Sequence, residues 1–257
     1  MLMSSDRITP SPRHLRQAPW LWLSIVSVNG FLLIGGMLTS LTVYASVMQR
    51  HFGWSEAAMG GGPVALLLGM SVGNLLVGTA MRRLGLRGTF SLGAAIAAVG
   101  WIAAGFVHSL AQFAAAMALA GLGAGMATIV PGIALLSETF HERKGLAIAL
   151  FIGACALASS TMPMVTGALI AWLDWRAVFW AVGGASGVIC LGLLRWLPRR
   201  LGDAPASAMQ TTQAGLSRRQ VAMMPGYWLL TLGLTLSQLC MNGVLFNVIA
   251  YLQKSGY

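Results

Sequence analysis

The sequence predicts an all-α, polytopic membrane protein. Only 9% of its 257 residues are charged, whereas a soluble domain carries about 25%. Apolar residues make up 57% of the chain, and the mean hydropathy is +0.75. So few polar side chains cannot cover a water-facing surface of this size, and intrinsic disorder is excluded because it requires low hydrophobicity. The third observation is a series of long segments without Asp, Glu, Lys or Arg, each long and apolar enough to cross a lipid bilayer, which is the predicted partner of the chain.

The charge-free segments define seven predicted transmembrane helices. A helix needs about 20 apolar residues to cross the hydrocarbon core. The segment 88–137 is more than twice that length, so we divide it at Val107-His108-Ser109. Transmembrane β-strands would be about 10 residues long and would alternate in polarity, unlike these uniform segments. The predicted helices span residues 20–48, 57–81, 88–107, 110–137, 145–172, 176–197 and 227–252.

The lengths of the connections divide the chain into four parts. Most connections are short, but the one after the sixth helix is long and rich in Ala, Ser, Thr, Gln and Gly, as in flexible linkers. It separates six helices from a seventh, which suggests a protein built of two six-helix halves. We therefore predict an amino tail (1–19), a six-helix domain (20–198), a linker (199–226), and a seventh helix that begins an incomplete second domain (227–257).

The distribution of basic residues predicts the orientation in the membrane. Thirteen of the sixteen Lys and Arg residues fall in the amino tail and the even-numbered loops, and three fall on the opposite side. Because cytoplasmic loops are enriched in Lys and Arg, the amino terminus is predicted to be cytoplasmic, in the inner or plasma membrane of the cell. The basic residues are dispersed over many loops, so nothing suggests a nucleic-acid partner.

A short repeat suggests internal symmetry within the six-helix domain. Gly36-Met37-Leu38-Thr39 in the first helix resembles Gly125-Met126-Ala127-Thr128 in the fourth. The separation is about half of the domain, so each repeat would hold three helices. Because three is odd, the second copy would have inverted topology, a building plan known from secondary transporters.

The loop between the second and third helices has a recognisable pattern. Residues 78–88 read Gly-Thr-Ala-Met-Arg-Arg-Leu-Gly-Leu-Arg-Gly. This loop resembles the signature loop of the major facilitator superfamily, Gly-xxx-Asp-Arg-x-Gly-x-Arg-Arg, and it lies on the predicted cytoplasmic side. Two positions depart from the pattern, since Arg82 stands where the family has an acid and Gly88 where it often has a base. The positions that match are Gly78, Arg83, Gly85 and Arg87.

Three junctions resemble one branch of that superfamily, the monocarboxylate porters and oxalate/formate-type exchangers. They precede the second, fifth and sixth helices in the order that the resemblance requires. The segments are His51-Phe52-Gly53-Trp54-Ser55, 140–147 (Phe-His-Glu-Arg-Lys-Gly-Leu-Ala) and 174–179 (Asp-Trp-Arg-Ala-Val-Phe). The resemblance implies a six-helix major-facilitator-type bundle made of two inverted three-helix repeats, plus one additional helix.

The basic residue at position 82 affects a contact that the resemblance implies. In the family the loop acid pairs with basic groups near the fourth helix and latches one conformation. With Arg82, that pairing is lost or reversed, and Glu138 or Glu142 would be the acceptor. The alternative is that Arg82 is one more positive charge on the cytoplasmic side.

Neutral polar side chains are the candidates for contact with a solute, because no Asp, Glu, Lys or Arg lies in a predicted helix core. At helical spacing, polar residues of the first helix form one stripe, and those of the seventh form another. The resemblance implies that helices one, four and seven line a central cavity. The alternative is hydrogen bonding between helices. The cavity candidates are Asn29, Ser40, Tyr44, Thr128, Gln238 and Asn242.

The residues do not favour an enzyme. No catalytic group is assigned, no His, Asp or Glu cluster suggests a metal, and no cofactor motif is present. Gly184-Ala185-Ser186-Gly187 has the GxSG spacing of intramembrane serine proteases, but that chemistry needs a His base on a later helix. All four histidines precede Ser186.

The predicted function is secondary active transport of a small solute by alternating access, driven by an ion or solute gradient. The branch resemblance implies a small organic anion. Three alternatives remain open: a non-transporting remnant or scaffold, a half-size transporter that acts as a dimer, and a drug-exporter-type antiporter. Because the resembled family has twelve helices, we expect a truncated chain that lacks about five, and no saturable uptake by residues 1–257 alone in liposomes.

The charge bias yields a test of topology. Reporter fusions near Arg83 and near Arg200 are expected to give a cytoplasmic signal, and a fusion near His51 an external one. Alkaline phosphatase and green fluorescent protein reporters distinguish the two sides. An external signal from the Arg83 fusion would refute the predicted orientation.

Overall fold

The computed structural model describes residues 18–199, 223–237 and 240. They fall into two compact units, residues 1–206 and 207–257, which are treated separately below. The described residues of both units are helices and short connections, with no strand among them. The predicted all-α fold class is therefore confirmed.

Over residues 18–199, the first unit contains seven α-helices and one π-helical segment. Five continuous helical stretches in the described residues are long and apolar enough to cross a bilayer, and they begin at Pro19, Ala58, Leu110, Lys144 and Trp175. The elements are α1 (Ala18–Gly30), the π segment (Phe31–Thr39), α2 (Leu41–Phe52), α3 (Glu56–Ala104), α4 (Leu110–Ala127), α5 (Ile129–Thr139), α6 (Lys144–Trp172) and α7 (Trp175–Leu194).

Helix α3 contains two membrane crossings joined by a single residue. Its apolar stretch Ala58–Ala104 has 47 residues. At a rise of 1.5 Å per residue it would be roughly 70 Å long, more than twice the hydrocarbon core. The helix breaks at Gly85, whose φ of 74° and ψ of 177° lie in a region that only glycine adopts readily. The first unit therefore makes six crossings, as the sequence predicts, but the predicted loop 82–87 is reduced to this one break.

Two crossings are interrupted, whereas the sequence predicts continuous helices over residues 20–48 and 110–137. The first passes through the π segment and then Ser40. The fourth changes direction at Thr128, where φ is −119° and ψ is −106°. Both interruptions arise from residues that disturb backbone hydrogen bonding, as described in the next subsection.

Helix α4 packs between the two crossings of α3, because glycines on two of its faces admit the α3 backbone. On one face, a Cβ atom at Gly121 would overlap the carbonyl oxygen of Leu66, and one at Gly125 would overlap that of Met70. On the other face, Gly123 lies directly against Gly93 and Ala97. The two crossings of α3 thus pack on opposite sides of α4 at backbone contact distance, as small residues allow in membranes.

The end of the unit that holds the end of α2 and the start of α7 is filled by aromatic side chains. Tyr44 and Trp101 are fully buried, and the Tyr44 ring stacks on Phe179 with 3.9 Å between centroids. The Trp101 and Phe179 centroids lie 5.0 Å apart. By contrast, several large apolar side chains point away from the bundle, such as Leu75, which is 82% exposed. Such residues form the surface that lipid covers.

The second unit is described over residues 223–237, of which 225–237 form a helix, and at Cys240. Thr231 and Thr235 each donate a hydrogen bond to the carbonyl oxygen four residues earlier, at 2.7 and 2.8 Å. The predicted seventh helix, 227–252, agrees with the structure over residues 227–237. The cavity candidates Gln238 and Asn242 lie outside the described residues, as does most of the linker 199–226, so the domain boundaries stay predictions.

The packing of α4 predicts opposite effects for one substitution at two glycines. Gly121→Ala should lower the thermal midpoint of the purified protein, because the added methyl must push Leu66 away, at a cost of about 1–3 kcal/mol. Gly184→Ala in α7 is the matched control, since an added methyl there would meet no described neighbour within 4 Å. It should leave the midpoint unchanged or raise it slightly, because alanine favours helix by about 1 kcal/mol. Equal midpoints for the two variants would contradict the packing argument.

Candidate functional site

The interruption of the fourth crossing follows from Pro131. A proline has no N–H, and its ring clashes with the carbonyl group four residues earlier, here that of Ala127. Helix α4 therefore ends at Ala127, and α5 begins at Ile129 with Pro131 in its first turn. The Ala127 carbonyl oxygen instead accepts a hydrogen bond from the Asn29 side-chain Nδ2, which comes from the first crossing. Asn29 thus replaces the donor that proline removes.

The interruption of the first crossing centres on the carbonyl group of Gly35. The hydroxyls of Thr39 and Ser40 both donate to this oxygen, each at 2.9 Å. Side-chain donors of this kind compete with the backbone hydrogen bonds of a helix, and two adjacent glycines weaken the helix further. The Ser40 hydroxyl also accepts a 3.0 Å hydrogen bond from Thr166 of α6. The π segment is thus tied to a neighbouring helix.

The two interruptions lie at equivalent places in the sequence repeat. The π segment ends at Thr39, the last residue of the first copy (36–39). Helix α4 ends at Ala127, within the second copy (125–128). Asn29, seven residues before the first copy, contacts Ala127 inside the second copy. Broken helices at matching positions of two repeats are the arrangement in which secondary transporters place their binding sites.

Several buried polar atoms of the first unit lack a well-formed hydrogen bond among the described residues. They include the Asn29 Oδ1, the Tyr44 hydroxyl and the Trp101 Nε1. The last two belong to neighbouring rings that pack edge to face, with centroids 5.8 Å apart. Buried polar groups are nearly always satisfied, so such atoms indicate places where water or a ligand binds.

The electrostatics of this region come from dipoles. In the described crossings, the charged side chains lie near the helix ends or the Gly85 turn. Helix α5 starts inside the bundle with no side-chain cap, because the Thr128 hydroxyl donates backwards to Ala124 at 2.8 Å. The N–H groups of its first turn therefore present a partial positive charge at the break, which favours a negatively charged group there.

The structure places the predicted cavity candidates of the first unit in two groups. Asn29 and Thr128 lie at the break between α4 and α5, and Ser40 and Tyr44 follow the π segment. All four are buried, and their described neighbours belong to the first unit. Whether they line a path for a solute stays a prediction. Sequence reasoning missed Thr166, Trp101 and the Ala127 carbonyl, although the four-residue offset from Pro131 identifies the last.

The signature loop forms a second polar site. Gly85 supplies the break, and Thr89 closes the turn by donating to the Gly85 carbonyl at 2.8 Å. Arg82 donates to the Thr79 hydroxyl at 3.2 Å and forms no ion pair with a described acid, so the predicted contact with Glu138 or Glu142 is not made in this conformation. A cleft of about 470 Å³ opens here, lined by Arg82, Arg83, Leu84, Gly85, Arg87, Gly88, Ser91 and Arg199.

Comparison with known proteins agrees with this geometry. Residues 17–257 match the family described as the Major Facilitator Superfamily. The chain belongs to that superfamily. The resemblance seen in residues 78–88 is thereby confirmed, and membership agrees with a multi-pass helical membrane protein. No group of three His, Cys, Asp or Glu residues suited to a metal ion occurs within the described ranges.

Individual relatives of the superfamily are distant. The chain is 27% identical to "Monocarboxylate transporter 6" from Homo sapiens over 67% of its own length and 35% of the relative's. It is 30% identical to "Multidrug resistance protein Stp" from Mycobacterium tuberculosis over 52% of its own length and 25% of the relative's. The inward-open xylose transporter XylE from E. coli has the same fold, with a TM-score of 0.57 at 19% identity, over 69% of this chain and 47% of that one.

The hydrogen bond between Thr166 and Ser40 can be tested by a pair of variants. Thr166→Val removes the donor while keeping the side-chain shape, and we expect a loss of about 0.6–1.7 kcal/mol because the contact is buried between helices. Thr161→Val is the matched control, since the exposed Thr161 hydroxyl donates only to a carbonyl of its own helix. The measurement is the unfolding midpoint of the purified protein. An equal loss in both variants would show that the Ser40 contact adds no stability.

Proposed function

We propose that this chain takes part in secondary active transport of a small organic anion by alternating access. The observation that carries the proposal is the junction of two interrupted helices, one from each repeat, through Asn29 and Ala127. A break inside a membrane helix lets its two parts tilt separately. With an equivalent break in each repeat, a bound solute can be exposed first to one side of the membrane and then to the other.

The proposed site recognises a negative charge through neutral groups. The uncapped start of α5 contributes backbone N–H donors and a partial positive charge next to the Asn29 contact. Such donors gain strength in a low-dielectric interior, because no water competes for the solute. The similarity to a protein named as a monocarboxylate transporter supports the same class of solute.

The proposed placement is a cell membrane with a cytoplasmic amino terminus. It is supported by the charge bias of the loops, which also puts the arginines of the signature loop on the cytoplasmic side. The energy for transport would come from an ion or solute gradient. In this proposal, the Asn29 contact holds the two broken helices together while the three-helix repeats move.

A second candidate is export of apolar or cationic compounds. The similarity to a protein named as a multidrug resistance protein favours it, as does the lack of a basic side chain in the interior of the described crossings. The two candidates differ in the charge of the solute that the site prefers, so a binding measurement separates them.

The test compares three probes on the purified full chain in detergent. We expect radiolabelled lactate to bind more tightly than lactamide, which lacks the charge, and more tightly than tetraphenylphosphonium, a lipophilic cation. Asn29→Ala should weaken lactate binding about tenfold, since it frees the Ala127 carbonyl and disturbs the junction, a loss of roughly 1.4 kcal/mol. Scintillation proximity reports the binding.

Asn74→Ala is the matched control for this experiment. Asn74 is an exposed amide on α3 and makes no side-chain hydrogen bond to a described residue, so its removal should leave lactate binding unchanged. Tighter binding of the lipophilic cation would favour the exporter. Equal binding of lactate and lactamide would contradict an anion site.

A further inference from the structure

Four arginines converge on one cleft at the end of the bundle. Arg82, Arg83 and Arg87 come from the two sides of the Gly85 break, and Arg199 follows the end of α7. The cleft encloses about 470 Å³, enough for a phosphate group and its neighbouring atoms. Two separate segments of the chain therefore build the same basic site.

No described acidic residue balances this charge. Neither Glu138 nor Glu142 lines the cleft, and no arginine of the cleft forms an ion pair within the described part of the chain. Arg82 uses one N–H on the Thr79 hydroxyl, and a guanidinium has five. Like charges at this spacing repel one another, so an anion that enters the cleft gains attraction from all four and relieves that repulsion.

The cleft also has an apolar wall. Leu84 lines it and is 52% exposed, although it sits between arginines. Trp196, 70% exposed, precedes Arg199 by three residues, and an exposed tryptophan at the end of a membrane crossing is typical of the interface. A ligand that fits both features carries a negative head next to a hydrocarbon tail.

We propose that this cleft binds the phosphate headgroup of an anionic membrane phospholipid. The planar guanidinium groups of the arginines hold the phosphate oxygens through paired N–H donors. The first carbons of the acyl chain pass over Leu84. Basic pockets between transmembrane helices on the cytoplasmic side are places where such headgroups bind. This inference does not depend on whether the chain transports a solute.

The position of the cleft favours a lipid over a soluble phosphate compound. The arginines lie where two crossings end, which in a bilayer would place them at the depth of the headgroups, and the exposed apolar side chain of Leu84 lies next to them. A lipid reaches this place by lateral diffusion, with its tail already in the bilayer. A soluble phosphate gains the same ionic contacts but no apolar contact.

The experiment counts lipids bound to the full chain by native mass spectrometry after release from detergent. Phosphatidylglycerol should bind at least tenfold more tightly than phosphatidylcholine of the same chain length. The double variant Arg83→Gln with Arg87→Gln should bind phosphatidylglycerol about 25-fold more weakly, at roughly fivefold per arginine. Inorganic phosphate at the same concentration should not displace the lipid.

Two further variants make the result specific. Arg143→Gln with Lys144→Gln removes two exposed charges from the same predicted side but outside the cleft, and it should change binding less than twofold. Arg83→Lys with Arg87→Lys keeps the charge and should retain most of the preference for phosphatidylglycerol. The wild-type comparison between the two lipids remains decisive if a glutamine variant fails to fold.

Equal binding of the two lipids by the wild type would overturn the proposal. An equal loss in the cleft variant and the Arg143/Lys144 variant would also overturn it, since the effect would then be general surface charge. Displacement of phosphatidylglycerol by inorganic phosphate would assign the cleft to a soluble anion and refute the lipid.

Discussion

The structure depends on a polar contact in an apolar bundle, the hydrogen bond from Asn29 to the Ala127 carbonyl. Pro131 cannot donate to that carbonyl, and an unsatisfied backbone group in hydrocarbon costs several kcal/mol. Asn29 supplies the donor from 98 residues away and thereby fixes the first crossing against the fourth. The break in α4–α5 is tolerable because this partner exists, and the partner is held in place because α1 packs in the same bundle.

The glycine contacts of α4 explain why such a break does not loosen the unit. Gly121, Gly123 and Gly125 bring the two crossings of α3 to backbone distance on both sides of α4. Close contact over many atoms replaces the hydrophobic effect, which does not drive helix association within lipid. Helix α4 is thereby fixed up to Ala127, whereas α5 can start in a new direction. Rigid packing and a change of direction therefore occur in one crossing, on either side of Thr128.

The sequence predicts much of this fold because membrane helices are specified locally. Hydropathy gives the six crossings of the first unit, and the spacing around Gly85 gives the turn, since its backbone angles require glycine. The interruptions are harder to predict because they depend on contacts between distant residues. Pro131 indicates a possible kink, but nothing near it shows that Asn29 satisfies Ala127, and the link from Thr166 to Ser40 is equally non-local. Neutral polar residues also occur as ordinary contacts between helices, so their spacing alone does not assign the cavity candidates to a path.

Charged side chains and neutral polar groups occupy different places in the first unit. At the Gly85 turn, full charges of Arg83 and Arg87 attract an anion over several ångströms and in many orientations. At the proposed site beside the helix break, the attraction would come from oriented dipoles, the first-turn N–H groups of α5. Hydrogen bonds weaken steeply with angle, so a small tilt of α5 would change the affinity of such a site far more than it would change the strength of a simple charge pair. A site of this kind binds strongly in one arrangement of the helices and weakly in another, and this difference in affinity is what lets a bound solute shift the balance between two conformations.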